Sequence, residues 1–257
     1  MIEATNRQVA QLALSLLDLS DLGADCTKES IKKLCADAHT PYGSAAAICV
    51  WPRFVAEARR TLGPESAIRL ATAVNFPGGD GAVAAVVAET KAAIAEGAEE
   101  IDLVIPYETL IQGDEQATRR MISAVRAVCP ASIVLKAILE TGALKDLALI
   151  RRASHIAIRE GADFLKTSTG QSEVNDTLEA ADVMLTCIRE SGRRVGFKPS
   201  GDVRTFADAK LYLDLAITIH GPDWLMPSTF RLGASGLLES ILAVIEASDA
   251  MRRTAVY

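Results

Sequence analysis

Asp163-Phe164-Leu165-Lys166-Thr167-Ser168-Thr169-Gly170 reads as a short buried strand that ends in polar residues and a glycine. Lys166 stands in its apolar half, beside Phe164 and Leu165. A lysine is rarely buried without compensation, and burial favours the neutral amine, which is a nucleophile. A second lysine of the same kind follows in Val195-Gly196-Phe197-Lys198-Pro199. Two lysines at the ends of consecutive strands point to one shared site.

Working outward, apolar runs alternate with helical patterns along the whole chain. The runs fall at 14–19, 45–50, 68–74, 101–106, 133–140, 163–170, 195–199 and, least clearly, 230–235. Helices are expected over 27–39, from 53, and over 82–96, 116–128, 145–160, 174–190, 205–215 and 237–247. Thr27-Lys28-Glu29-Ser30 can cap the first of these, and Gly97 can end the helix before it. Alternating β and α with nearly continuous apolar strands implies a parallel sheet. Eight such units within 257 residues suit a (β/α)8 TIM barrel, which typically takes about 250. No linker or low-complexity stretch divides the chain, so one domain over 1–257 is expected. An open doubly wound sheet is the other architecture, but no GxGxxG follows the first strand.

Barrel active sites lie at the C-terminal ends of the strands. Asp18, Asp102, Lys136, Lys166 and Lys198 all interrupt otherwise apolar strands. Each alone could face outward or form a structural ion pair. Together they are better explained as one mixed cluster in the barrel mouth, because an unpaired inward charge is costly.

The remaining composition narrows the function. A net charge of −6 argues against nucleic acid and against a basic membrane-surface role. The first residues lack a signal-peptide pattern, and no run of about 18 uncharged apolar residues occurs. The five cysteines form no CxxC pair, which suits a reduced, cytoplasmic protein. His39, His155 and His220 lack ligand spacing, so no metal is expected.

The chain resembles the deoxyribose-phosphate aldolases, class I aldolases that work through a lysine Schiff base. The resemblance rests on Ala46-Ala47-Ile48-Cys49 with Pro52-Arg53-Phe54, Asn75-Phe76-Pro77, and Glu100-Ile101-Asp102-Leu103-Val104. It continues through Leu135-Lys136, Glu140-Thr141-Gly142, the Lys166 and Lys198 stretches, and Arg231-Leu232-Gly233-Ala234-Ser235. It implies a (β/α)8 fold and reversible cleavage of 2-deoxyribose 5-phosphate to glyceraldehyde 3-phosphate and acetaldehyde. It implies Lys166 as the imine-forming residue, Lys198 as the lysine that tunes it, and Asp102 as acid/base partner. Deoxynucleoside catabolism, a homodimer, and no cofactor or metal are implied as well. The C-terminal Tyr257 matches a family tyrosine that can reach the site, although terminal residues are disordered by default.

The chemistry explains the lysine pair. A free lysine has a pKa of about 10.4, so only about one in a thousand is neutral near pH 7.4. One ammonium about 4 Å away, at an effective dielectric of about 20, contributes roughly 4 kcal/mol against the charged form. Lys198 is expected to supply that field, with Lys136 adding to it. Asp18 is expected either to fix a lysine or substrate hydroxyl, or to form a salt bridge only.

The phosphate end departs from the family pattern. Barrels grip phosphate with the backbone of late loops, here Thr167 with Gly170-Gln171, then Ser200-Gly201-Asp202, then Ser235-Gly236. The family pattern has Lys at 171, Gly at 202 and Ser at 236. An acid about 8 Å from a phosphate dianion repels it by roughly 1–4 kcal/mol, so Asp202 is expected to favour unphosphorylated aldehydes. Asp202 facing solvent would change nothing. Cys49 lies in the second strand; such a thiol is ordinarily inert packing, but released aldehyde could reach it. A non-catalytic sugar-phosphate-binding barrel and another Schiff-base barrel lyase are the alternative functions.

Overall fold

The computed structural model describes residues 5–172 and 175–254. A helix, α1 (Asn6–Ser15), precedes eight parallel strands. These are β1 (Leu17–Asp21), β2 (Ala47–Val50), β3 (Arg69–Val74), β4 (Glu100–Val104), β5 (Val134–Ile138), β6 (Phe164–Lys166), β7 (Gly196–Lys198) and β8 (Leu232–Ala234). The helices that follow them in turn are α2 (Lys28–Asp37), α3 (Val55–Leu62), α4 (Val83–Ala95), α5 (Glu115–Val128), α6 (Leu147–Arg159), α7 (Leu178–Ser191), α8 (Phe206–His220) and α9 (Leu237–Thr254). No helix among the described residues is long and apolar enough to cross a membrane.

The strands do not alternate in polarity because both faces are covered. Every residue of β2, β4, β6, β7 and β8 is buried. The helices carry the periodicity instead. α5 buries Thr118, Met121, Ile122 and Val125, one face at three- and four-residue spacing, and Asp114 caps it by accepting from the Ala117 N–H. Thr27 and Ser30 form the expected box at the start of α2, and Gly192 ends α7 in the left-handed conformation.

Consecutive strands pair in parallel from β1 to β7, and β8 returns to pair with β1. The last seam is looser. Phe197 bridges Phe230 and Ser200 bridges Gly233, with Arg231 N–H donating to the Phe197 carbonyl at 3.0 Å. Gly233 sits on that seam because nothing larger fits. A Cβ there would come 2.8 Å from Lys198 Cε and 2.8 Å from Ser200 Cβ.

The start of the chain corrects the sequence reading. The run at 14–19 is not one strand: Leu14 and Ser15 finish α1, and β1 begins at Leu17. Ala10, Ala13 and Leu14 share a buried helical face, and Thr5 with Gln8 closes a capping box. Short apolar runs do not separate helix from strand by periodicity alone. α1 packs on α9, where Arg7 meets Asp249 at 2.6 Å. Two short helices, Tyr107–Ile111 and Thr141–Leu144, and a hairpin of His39–Thr40 with Gly43–Ser44 also went unexpected. α8 and α9 run past their expected ends at 215 and 247.

Candidate active site

The interior of the barrel holds a charge cluster built from alternate strand positions. Register places Asp102 beside Lys136 and Lys166 beside Lys198. Asp102 is the hub. Its Oδ1 accepts from Lys136 Nζ at 2.7 Å, and its Oδ2 accepts from Lys166 at 3.0 Å and from Lys198 at 2.9 Å. Lys198 also forms an ion pair with Asp18 at 2.7 Å. The five charges expected to cluster do so.

Two more groups, not expected there, complete the set. Glu100 takes Lys136 at 2.6 Å, and Arg231 bridges Asp18 at 2.5 Å and Glu100 at 2.8 Å. Both were legible in outline. Glu100 stands two residues before Asp102, so period-two geometry puts both on one face, and Arg231 interrupts an apolar run. Asp18 is thus more than one salt bridge, since Arg231 and Lys198 divide it.

Counting charges decides what this cluster can do. Asp18, Glu100 and Asp102 face Lys136, Lys166, Lys198 and Arg231, so full ionisation leaves one surplus positive charge. Lys166 has the weakest claim on a carboxylate. It touches only Asp102, and it shares that oxygen with Lys198. Burial pushes its pKa down; Asp102 pulls it back up, and the Lys198 charge pushes it down again. Lys136 and Lys198 sit equally deep, but their carboxylates outweigh burial and hold both ammonium groups above the usual lysine range. Despite the burial that opposes ionisation, the surrounding cations hold Asp102 and Asp18 well below the usual carboxylate range.

The Lys166 shift has both expected causes, burial and the Lys198 charge, but not in the expected proportion. Lys198 alone does not supply it, because Asp102 lies close and acts in the opposite direction. Desolvation is the larger cause.

Of these charged groups only Lys166 lines the cavity at the C-terminal mouth, which encloses about 660 Å³. The wall includes Thr169, Gly170, Gln171, Gly201, Ser235 and Gly236. The expected phosphate loops therefore converge there, but not every expected residue does. Thr167 is buried off the cavity and ties two loops, its hydroxyl accepting from Ser200 N–H at 2.9 Å. Asp202 is turned behind the mouth. Its carboxylate accepts from the Asn175 N–H at 3.0 Å and pairs with Arg204 at 3.1 Å. Arg204, missed in the sequence, lines the mouth while paired with Asp202. Cys49 is fully buried off the cavity, and burial pushes its thiol up to about 11, so it is an inert neutral group. Tyr257 lies outside the described residues.

Among the described residues one ligand-type group, His155, Cys187 and Glu190, comes within 4.8 Å. It sits on α6 and α7, outside the barrel, where Arg151 already takes Glu190 at 2.7 Å.

A buried amine with no carboxylate of its own, open to a cavity and flanked by fixed charges, can capture a carbonyl carbon. Comparison with known proteins places nearly the whole chain in a family. The DeoC/LacD family aldolase pattern matches residues 11–217. The deoxyribose-phosphate aldolase of Agrobacterium fabrum is 59% identical over 251 residues, covering 98% of this chain and 97% of that protein. A Toxoplasma gondii ME49 protein, provisionally named a deoxyribose-phosphate aldolase, superposes with a TM-score of 0.86 at 27% identity, over 94% of this chain and 95% of that one. The tetrameric deoxyribose phosphate aldolase of Aeropyrum pernix shares the fold, with a TM-score of 0.72 at 21% identity over 96% and 93%.

Proposed function

This chain belongs to the DeoC/LacD family of aldolases, and we propose that it is a class I enzyme that cleaves 2-deoxy-D-ribose 5-phosphate reversibly to D-glyceraldehyde 3-phosphate and acetaldehyde. One observation carries the mechanism: the single cation of the cluster that reaches the mouth is also the one whose only carboxylate oxygen is shared with another lysine. The neutral Lys166 amine attacks C1 of the open-chain sugar, and loss of water leaves a protonated imine. Loss of the C3 hydroxyl proton then lets the C2–C3 bond break. Its electrons flow into the imine, giving an enamine and glyceraldehyde 3-phosphate. Protonation at C2 and hydrolysis release acetaldehyde.

Asp102 has two uses in this sequence. Its fixed negative charge, 3.0 Å from Lys166 Nζ, stabilises the imine cation as it forms. Together with Lys198 it forms the pair that, relayed through a water because neither lines the cavity, moves the proton to and from the substrate. Because the cations hold Asp102 ionised, it is a weak base on its own, and the pair acts as a unit. Making the imine restores the surplus positive charge of the cluster, which strengthens the electron sink.

Backbone groups at Gly170, Gly201, Ser235 and Gly236, with Arg204, suit the phosphate. Asp202 gives no support to a preference for unphosphorylated aldehydes, because its charge is spent on Arg204 and the Asn175 amide. Asp202→Gly should therefore lower kcat/KM for deoxyribose 5-phosphate rather than raise it, as Asn175 and Arg204 lose their anchor. A selective gain on the phosphate ester would restore the repulsion argument. The family relationship extends the reading to a cytoplasmic homodimer in deoxynucleoside breakdown; sedimentation equilibrium separates a dimer from a tetramer.

Retro-aldol cleavage of deoxyribose 5-phosphate, assayed with and without a chelator, tests the assignment. Equal rates are expected. Loss of cleavage on chelation would replace the imine with a metal-stabilised enolate.

A further inference from the structure

We propose that Arg231 and Glu100, at the foot of the barrel, are positioning residues that keep Lys166 without a carboxylate of its own. The inference rests on the reading of Lys166 as the imine-forming amine. Neither residue can touch substrate from the mouth. Both line a separate cavity of about 560 Å³ at the opposite end, with Ser15, Ser44 and Ala67 among its walls.

Their contacts assign the carboxylates. Arg231 is permanently charged, and its fork takes Asp18 at 2.5 Å and Glu100 at 2.8 Å, while Nε donates to the Pro227 carbonyl. Glu100 in turn engages Lys136 at 2.6 Å. With Asp18 partly occupied from below, Lys198 divides itself between Asp18 and Asp102, at 2.7 and 2.9 Å. That division keeps Lys198 on the oxygen Lys166 would otherwise hold alone.

The other titratable groups around the cluster do not replace this pair. β2 offers only the neutral Cys49 thiol. β3 offers only Arg69, half exposed at its far end and paired with Glu99 at 2.8 Å. Glu140, just after β5, turns to the Thr169 N–H at 3.2 Å. Asp21 and Arg204 share the mouth with Lys166, but Asp21 accepts from the Ser30 hydroxyl at 2.6 Å and Arg204 pairs with Asp202 at 3.1 Å. Asp18, Glu100, Asp102, Lys136, Lys198 and Arg231 are the charges within the cluster itself.

Removing Arg231 leaves three carboxylates for three lysines. Lys198 is then drawn to Asp18, and Asp102 Oδ2 falls to Lys166, which stays protonated to higher pH. Neutralising Glu100 has the opposite sign, because the surplus of positive charge grows. A purely structural role would move neither profile.

The test uses the full chain. Acetaldehyde is trapped on the enzyme with cyanoborohydride across a pH series, and adduct at Lys166 is read by mass spectrometry. In Arg231→Met the midpoint of trapping should move up by about one pH unit or more, a loss of about tenfold below both midpoints. In Glu100→Gln it should move down, and in Arg231→Lys it should return toward wild type. Profiles superimposable on wild type in folded variants would overturn the proposal. Should Arg231→Met fail to fold, Glu100→Gln carries the test with its opposite sign. Absence of a Lys166 adduct in the wild type itself would overturn the imine assignment, and the inference with it, before any variant is compared.

Discussion

Lys198→Leu should cut turnover by about 10²- to 10⁴-fold near neutral pH, the range associated with a positioned acid/base group. Two losses combine. The pair that moves the substrate proton is broken, and the carboxylate Lys198 shared reverts to Lys166. With three carboxylates facing Lys136, Arg231 and Lys166, the charges balance only when Lys166 is protonated. Imine trapping at neutral pH should fall along with turnover, and it should recover as pH rises. The barrel should survive but lose stability, because Asp18 and Asp102 each lose a partner; breaking a buried pair costs about 3–5 kcal/mol. Near-normal turnover at pH 7 would remove Lys198 from the mechanism.

Asp102→Asn should separate imine formation from turnover. The substitution deletes the anion that three lysines share, so the surplus positive charge doubles and Lys166 releases its proton more readily. Acetaldehyde should still be trapped on Lys166, at lower pH than in wild type, while turnover falls by about 10²-fold or more with the proton path gone. Stability should fall by about 3–5 kcal/mol, a drop in Tm of about 6–20 °C for a chain of this size. The pH dependence of that difference has a defined sign. Asp102 is held below its ordinary pKa, so its contribution is present above about pH 3.9 and is lost as acid titrates the folded group. Lys136 and Lys198 are held above theirs, so their contribution is present below about pH 10.4 and is lost as base titrates them. The gap in Tm between wild type and Asp102→Asn should narrow outside these limits, and between them it should step down once, as pH rises through the window where Lys166 is neutral in the variant but still charged in wild type. Loss of trapping together with turnover would contradict the division of labour.

The barrel was legible because its strands are buried on both faces and its helices are not. That contrast makes eight short apolar runs stand out between amphipathic stretches. The first boundary failed where Leu14 and Leu16 could serve either element, and only the packing of α1 on α9 decides it. The lysine–aspartate cluster was legible because charge inside an apolar run is expensive and must be compensated. Glu100 and Arg231 escaped attention for a different reason. Their role lies in the partition of carboxylates among cations, which depends on distances across the barrel. The weight given to Lys198 in the Lys166 shift was misjudged on the same ground: Lys198 is adjacent in register, but Asp102, two strands away, reaches the same amine at 3.0 Å and opposes it. Asp202 looked repulsive in the sequence because nothing there shows that Arg204, two residues on, folds back upon it.

Borohydride reduction of the wild-type enzyme in acetaldehyde near neutral pH, followed by peptide mass spectrometry, is the most direct measurement of whether burial and a missing carboxylate make Lys166 the reactive amine. A single ethyl group on Lys166, with Lys136 and Lys198 unmodified, is the predicted result. Ethylation of either of those two instead, or cleavage of deoxyribose 5-phosphate with no lysine modified, would contradict it.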